Sequence, residues 1–114
     1  MSTKITILTE WDRSPFYYRR GDDAEGYDWS IEETGEYLGL SADLVRDLAA
    51  WDNQWQDTLD LAEGRNSGFR TEEEALPWIE RGKELAARVQ KESTLDISVD
   101  YQANGVIAEG TYVF

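Results

Sequence analysis

The chain has no cysteine and no histidine among its 114 residues, only two prolines and one methionine, and 11 Lys and Arg against 24 Asp and Glu. Without cysteine there are no disulfides and no thiolate chemistry, a composition that suits a reducing cytoplasm. Without histidine the commonest general base, the commonest metal ligand and the usual pH switch are all missing. No window approaches the ~18 consecutive apolar residues of a membrane span. The opening MSTKITILTEW runs into a strand-like pattern with no apolar signal core, so the expected location is the cytoplasm.

The shortage of cations is uneven. From Asp22 to Glu63 thirteen acids stand against Arg46 alone, which places −12 of the chain's −13 in that segment. A phosphate backbone needs Lys and Arg to displace its counterions, so direct nucleic-acid binding is not expected. Charge of this sign favours a basic partner and speeds encounter with it. It also keeps a small protein soluble, which is the plainer reading. A hydrophobic content of 40%, with five Trp and six Tyr, belongs to a folded globule, and the length to a single domain.

The longest regular signal is Leu40–Ala62, LSADLVRDLAAWDNQWQDTLDLA. Ser41 is a candidate N-cap, and Leu44, Leu48, Trp51, Trp55 and Leu59 recur at helical steps to form one apolar stripe. Asp43, Asp47, Asp52, Asp57 and Asp60 occupy its flanks and outer face. Ahead of it, Lys4–Trp11 alternates as a strand with Ile5, Ile7, Thr9 and Trp11 inward. Phe16–Arg19 predicts a short second strand, GDDAE from Gly21 a loop, and Ser30–Glu33 a capping box. Gly35 and Gly39 limit the expected helix there to about one turn.

A second capping box, Thr71–Glu74, opens another helix, with Pro77 requiring a late start or a bend. Its inward stripe is Ala75, Trp78, Ile79, Gly82, Leu85, Ala86 and Val89. Gly82 in mid-helix implies close approach to a large neighbour, Trp51 or Trp55. Leu95–Tyr101 alternates as a strand, and Asn104-Gly105 predicts a two-residue hairpin turn returning through Val106–Phe114. That register sets Asp100 opposite Glu109, so that face must be wet or meet a cation from elsewhere.

No motif names a chemistry. Asp23, Glu25, Gly26 and Glu32 match four places of a calcium loop, but Gly21 occupies its first ligand position, so no metal is assigned. With 24 acids, proximity of two carboxylates carries little information. Trp51 and Trp55 read as core. Tyr27 and Trp29, flanked by charge in an irregular stretch, suit either an edge of the core or an interface.

The segments LGLSADLVRDLAAWDNQW, NSGF, RGKELAARV and DISVDY, with ITILTEWDRSPFYYR before them, resemble a group of small acidic α+β proteins frequent in actinobacterial genomes. The resemblance implies an architecture and carries no activity and no functional residues.

The expected fold is α+β, with two long antiparallel helices on one face of a small, mainly antiparallel sheet of three or four strands that ends in a C-terminal hairpin. The expected function is that of a non-catalytic acidic binding protein masking a basic protein surface, as an inhibitor or immunity protein for a toxin or nuclease. Its contact residues would be Asp22, Asp23, Glu25, Asp28, Glu32, Glu33 and Glu36, with Asp43, Asp47 and Asp57 from the helix and Tyr27 and Trp29 as aromatic anchors. No cofactor and no membrane partner are expected. A nucleic-acid mimic of the anti-restriction or anti-CRISPR kind uses the same charge, and a small carboxylate enzyme is the third reading.

Overall fold

The computed structural model describes residues 3–10, 14–19, 27–59 and 68–114, with the backbone alone at 18–19 and 27–29. Along these residues run β1 (Thr3–Leu8), β2 (Phe16–Arg19), β3 (Tyr27–Trp29), α1 (Ile31–Leu38), α2 (Ala42–Gln56), α3 (Glu72–Glu92) and β4 (Ile97–Ala103). The strands form one sheet in the order β3-β2-β1-β4. β2 is antiparallel to both β1 and β3, whereas β4 lies parallel to β1, with Ile5 opposite Val99 and Ile7 opposite Tyr101.

The fold is therefore α+β as expected, but its sheet is mixed. A parallel neighbour needs a long crossover, and here everything from β2 through α3 supplies it. No local pattern marks this pairing, because the alternation in ISVDY reads alike whichever way the neighbouring strand runs.

The C-terminal hairpin is the second departure. The N–H of Gly105 donates to the Gln102 carbonyl at 2.8 Å, so the turn is centred on Ala103 and Asn104, with Ala103 left-handed at φ 54°. A two-residue turn at Asn104-Gly105 needs Ala103 extended and paired with Val106, which this conformation forbids. Thr9 holds the end of β4 where it is, its N–H donating to the Ala103 carbonyl at 2.8 Å and its hydroxyl at 3.3 Å. The chain comes back late: Phe114 and Val99 exchange two backbone hydrogen bonds, and Val113 forms a single bridge to Asp100. Asp100 thus stands opposite Val113 rather than Glu109 and is buried rather than wet, with Lys4 4.0 Å from it and 3.1 Å from Glu109. The Gly110 N–H also donates to the buried Asp100 carboxylate, at 3.1 Å.

α1 is longer than expected. Ser30 accepts from the Glu33 N–H and Glu33 accepts from the Ser30 N–H, closing the capping box. Two turns follow because Gly35 lies against α2, where a Cβ would come 2.5 Å from Val45 Cγ2. Gly39 then ends the helix in the left-handed conformation, φ 72°.

α2 is shorter than expected. Its Ser41 cap accepts from the Leu44 N–H, but the helix stops at Gln56. There the Thr58 hydroxyl donates to the Trp55 carbonyl at 2.6 Å and its N–H to the same oxygen at 3.0 Å, closing the last turn. Leu59 falls beyond the helix, and Asp60–Ala62 lie outside the described residues. α3 starts at Glu72 on its Thr71 cap and carries Pro77 within it, so the proline does not delay the helix.

α2 and α3 cross the sheet face of Ile5, Ile7, Val99 and Tyr101 in opposite senses. Ser41 at the start of α2 meets Glu92 at the end of α3, while Trp51 meets Trp78. The indoles of Trp51 and Trp78 stack at 4.6 Å with their planes 4° apart. Each ring N–H donates to the other residue's backbone carbonyl, at 2.9 and 2.8 Å. Trp55 and Phe69 close on the outer side of Trp78, at 5.8 and 5.2 Å between ring centres. Each buried Leu, Ile or Val in this layer contributes about 1.5–3 kcal/mol.

Gly82 takes the place the sequence assigns to it. A Cβ there would overlap the Tyr101 hydroxyl and come 2.6 Å from Trp51 Cζ2. Gly82→Ala should therefore destabilise the fold by about 1–3 kcal/mol, although alanine is the better helix former by ~1 kcal/mol. An unchanged urea midpoint would show that the indole and phenol can move aside.

Asp52 corrects a further expectation, for it is buried at 8% exposure rather than on the flanks or outer face. Its carboxylate accepts from Gln56 Nε2 at 3.4 Å, while the same nitrogen donates to the Glu10 carbonyl at 2.7 Å. Burial pushes the Asp52 pKa up from 3.8 to about 6, against a smaller lowering by the Gln56 amide. The folded chain thus holds this proton more tightly than the unfolded one. The stabilisation is complete below pH 3.8 and is lost as pH rises through about 6. Asp52→Asn, which keeps an acceptor for Gln56, should stabilise the protein by on the order of 1–2 kcal/mol at neutral pH and by almost nothing near pH 4. Equal effects at both pH values in denaturant titrations would contradict this.

Candidate partner-binding surface

α1 turns Ile31, Thr34, Gly35 and Leu38 inward and leaves Glu32, Glu33 and Glu36 exposed. Glu33 is engaged in the capping box, whereas Glu32 and Glu36 form no ion pair with any described residue. One turn apart, they stand about 6 Å from each other along one edge of the helix. They overlook a shallow, open groove of about 380 Å³ between α1 and the first half of α2, floored by Leu40, Val45 and Ala49. Arg46 lies at its side and is tied to Asp43, three residues earlier.

The acids of the sheet-facing helices are engaged differently. Asp47 sits between two cations, 3.4 Å from Arg81 and 3.3 Å from Arg88. Arg81 also meets Glu84 at 3.1 Å, and Arg88 meets Glu92 at 3.0 Å. The Ser41 N–H, Arg88 and the Ser41 hydroxyl together hold the Glu92 carboxyl below its usual range, the backbone N–H contributing most. Lys83 lies 3.6 Å from Glu80 and 4.1 Å from the centre of the Tyr112 ring. Of these contacts, those of Asp47 with Arg81 and Arg88 and that of Glu92 with the Ser41 N–H join α2 to α3.

The expected contact residues thus divide. Glu32, Glu33 and Glu36 share one exposed face, while Asp43 stands exposed at the start of α2, paired with Arg46 and not among the residues that line the groove. Asp57 caps the other end of α2, about 21 Å from Asp43 at 1.5 Å per residue; the fold does not bring it to the groove. Tyr27, Asp28 and Trp29 form β3, paired with β2. Asp22, Asp23 and Glu25 lie outside the described residues.

Sequence reasoning passed over the apolar floor. Val45 and Ala49 are spaced i, i+4, one step round from the buried Leu44 and Leu48, and that offset is the signal of a half-covered strip on the flank of a core stripe. The face of the sheet away from the helices carries a second hollow, about 340 Å³, bordered by Lys4, Thr6, Leu8, Glu10, Tyr17 and Gln102. Glu109 completes its rim, where the one cation, Lys4, already meets Glu109 at 3.1 Å.

No curated protein matches the chain. The sequence model of the family described as Serratia CdiI immunity protein-like matches residues 3–104, nearly the whole chain, and the protein belongs to that family.

Proposed function

We propose that the protein is an immunity protein that binds the toxin of a contact-dependent inhibition system and blocks it by occupying its surface, without catalysis. The family match over residues 3–104 carries this reading. The chemistry agrees with it: a chain without histidine or cysteine has few ways to turn over a substrate, and a binding protein needs neither. The partner we infer is basic, as an enzyme acting on nucleic acid would be, because −12 of net charge falls between Asp22 and Glu63. Charge complementarity of this kind raises the association rate, allowing a freshly made toxin to be captured before it acts.

The test is to mix the purified protein with the toxin domain of the contact-dependent inhibition system of the same host. A one-to-one complex that abolishes toxin activity is expected, with an association rate that falls roughly tenfold or more between about 50 and 500 mM salt. Toxin activity unchanged by a molar excess would contradict the immunity reading. Tight binding with a salt-independent association rate would contradict the basic partner.

A further inference from the structure

We propose that the groove between α1 and α2 is the docking site for the toxin. It would receive a segment whose apolar side chain seats on Val45 and Ala49 between two cations that pair with Glu32 and Glu36. This rests on the immunity reading and adds to it where the contact is made and what the partner must present.

Three observations favour this face over the others. Its floor is apolar and half-covered, as the centre of an interface is, while its edge is polar. Its two acids form no ion pair with any described residue, as is also true of Glu72 and Glu73 at the start of α3, but of these it is Glu32 and Glu36 that border the groove, whereas Asp47, Glu80, Glu84 and Glu92 each meet a cation of the same chain. An incoming Lys or Arg therefore gains a partner at Glu32 or Glu36 without displacing one. The floor is also closely packed: Gly35 seats α1 directly against Val45, and the capping box closes the first turn of α1. A preformed groove loses little conformational freedom on binding.

The geometry restricts the ligand. Glu32 and Glu36 lie about 6 Å apart, so the partner's cations must lie at a similar spacing, as they do at i and i+4 of a helix, where an apolar residue at i+3 or i+1 turns to the adjoining side. Arg46, tied to Asp43 at the side of the groove, repels a third cation there. The expected segment thus carries two cations flanking one apolar residue, rather than a continuous basic run.

The experiment measures affinity for the same toxin domain with Glu32→Lys/Glu36→Lys, with the isosteric Glu32→Gln/Glu36→Gln, and with Glu72→Lys/Glu73→Lys. The last pair makes the same charge change at the exposed start of α3, the end of that helix remote from Ser41. Thermal melts establish that each variant is folded. The groove reversal should weaken binding by at least about 30-fold and the glutamine pair by about fivefold or more, with the α3 reversal within about threefold of the native protein. Equal losses from the two lysine pairs would show that the acidic field alone guides binding, and would overturn the groove. Full affinity in both groove variants would overturn it as well. If the native protein forms no complex, the immunity reading itself fails, and the docking site with it.

Discussion

The structure depends on the reciprocal contact of Trp51 and Trp78. Two indoles stacked at 4.6 Å bury a large apolar area, and each ring N–H reaches the other helix's backbone. Burying an indole N–H without a partner costs free energy, and a helix carbonyl can accept a second bond outside its own ladder. Each tryptophan therefore meets its polar requirement at the residue it stacks on, which fixes the height of α2 along α3 as well as the distance between them. Gly82 removes the Cβ that would collide with Trp51, and the Tyr101 hydroxyl, 2.7 Å from the Ile79 carbonyl, ties the same part of α3 to β4.

With that register set, the charges sort themselves. Arg81 and Arg88 reach Asp47 because α2 and α3 lie at the height the indoles fix, and Glu92 reaches the Ser41 N–H for the same reason. The seam between the long helices is thus polar, paired and closed. α1, held to α2 by Gly35 and Val45, stands outside this network, and its Glu32 and Glu36 form no ion pair with any described residue. The same acidic composition serves as glue along one seam and as an open surface along the other.

Much of this was legible in the sequence where the signal is local. The i, i+3, i+4 spacing of Leu44, Leu48, Trp51 and Trp55 located α2, the Ser30 and Thr71 caps located the starts of α1 and α3, and mid-helix Gly82 announced a bulky neighbour. What was not legible depends on distant partners. Nothing near Ile97–Tyr101 reveals a parallel neighbour in β1. Asn104-Gly105 has the composition of a hairpin turn, but Thr9, far away in sequence, sets where β4 ends. Asp52 looks like any acid on an outer face until the path of β1 carries Glu10 to its side of α2. For the candidate site, charge count pointed to Glu32, Glu33 and Glu36, but not to the engagement of Asp47 or to the apolar floor of Val45 and Ala49. Both follow from helix rotation, which a hydropathy stripe fixes only coarsely.

The fold divides its labour: the α2–α3 seam holds the structure together, and the α1–α2 groove is the proposed meeting place with the toxin. Amide hydrogen exchange of the protein, alone and with the toxin domain, tests it most directly. Slower exchange across Ile31–Leu38 and the first turns of α2, with β1 and the middle of α3 unchanged, is the result the account predicts. Protection confined to Thr3–Leu8 and Ile97–Ala103, the strands bordering the opposite hollow, would contradict it.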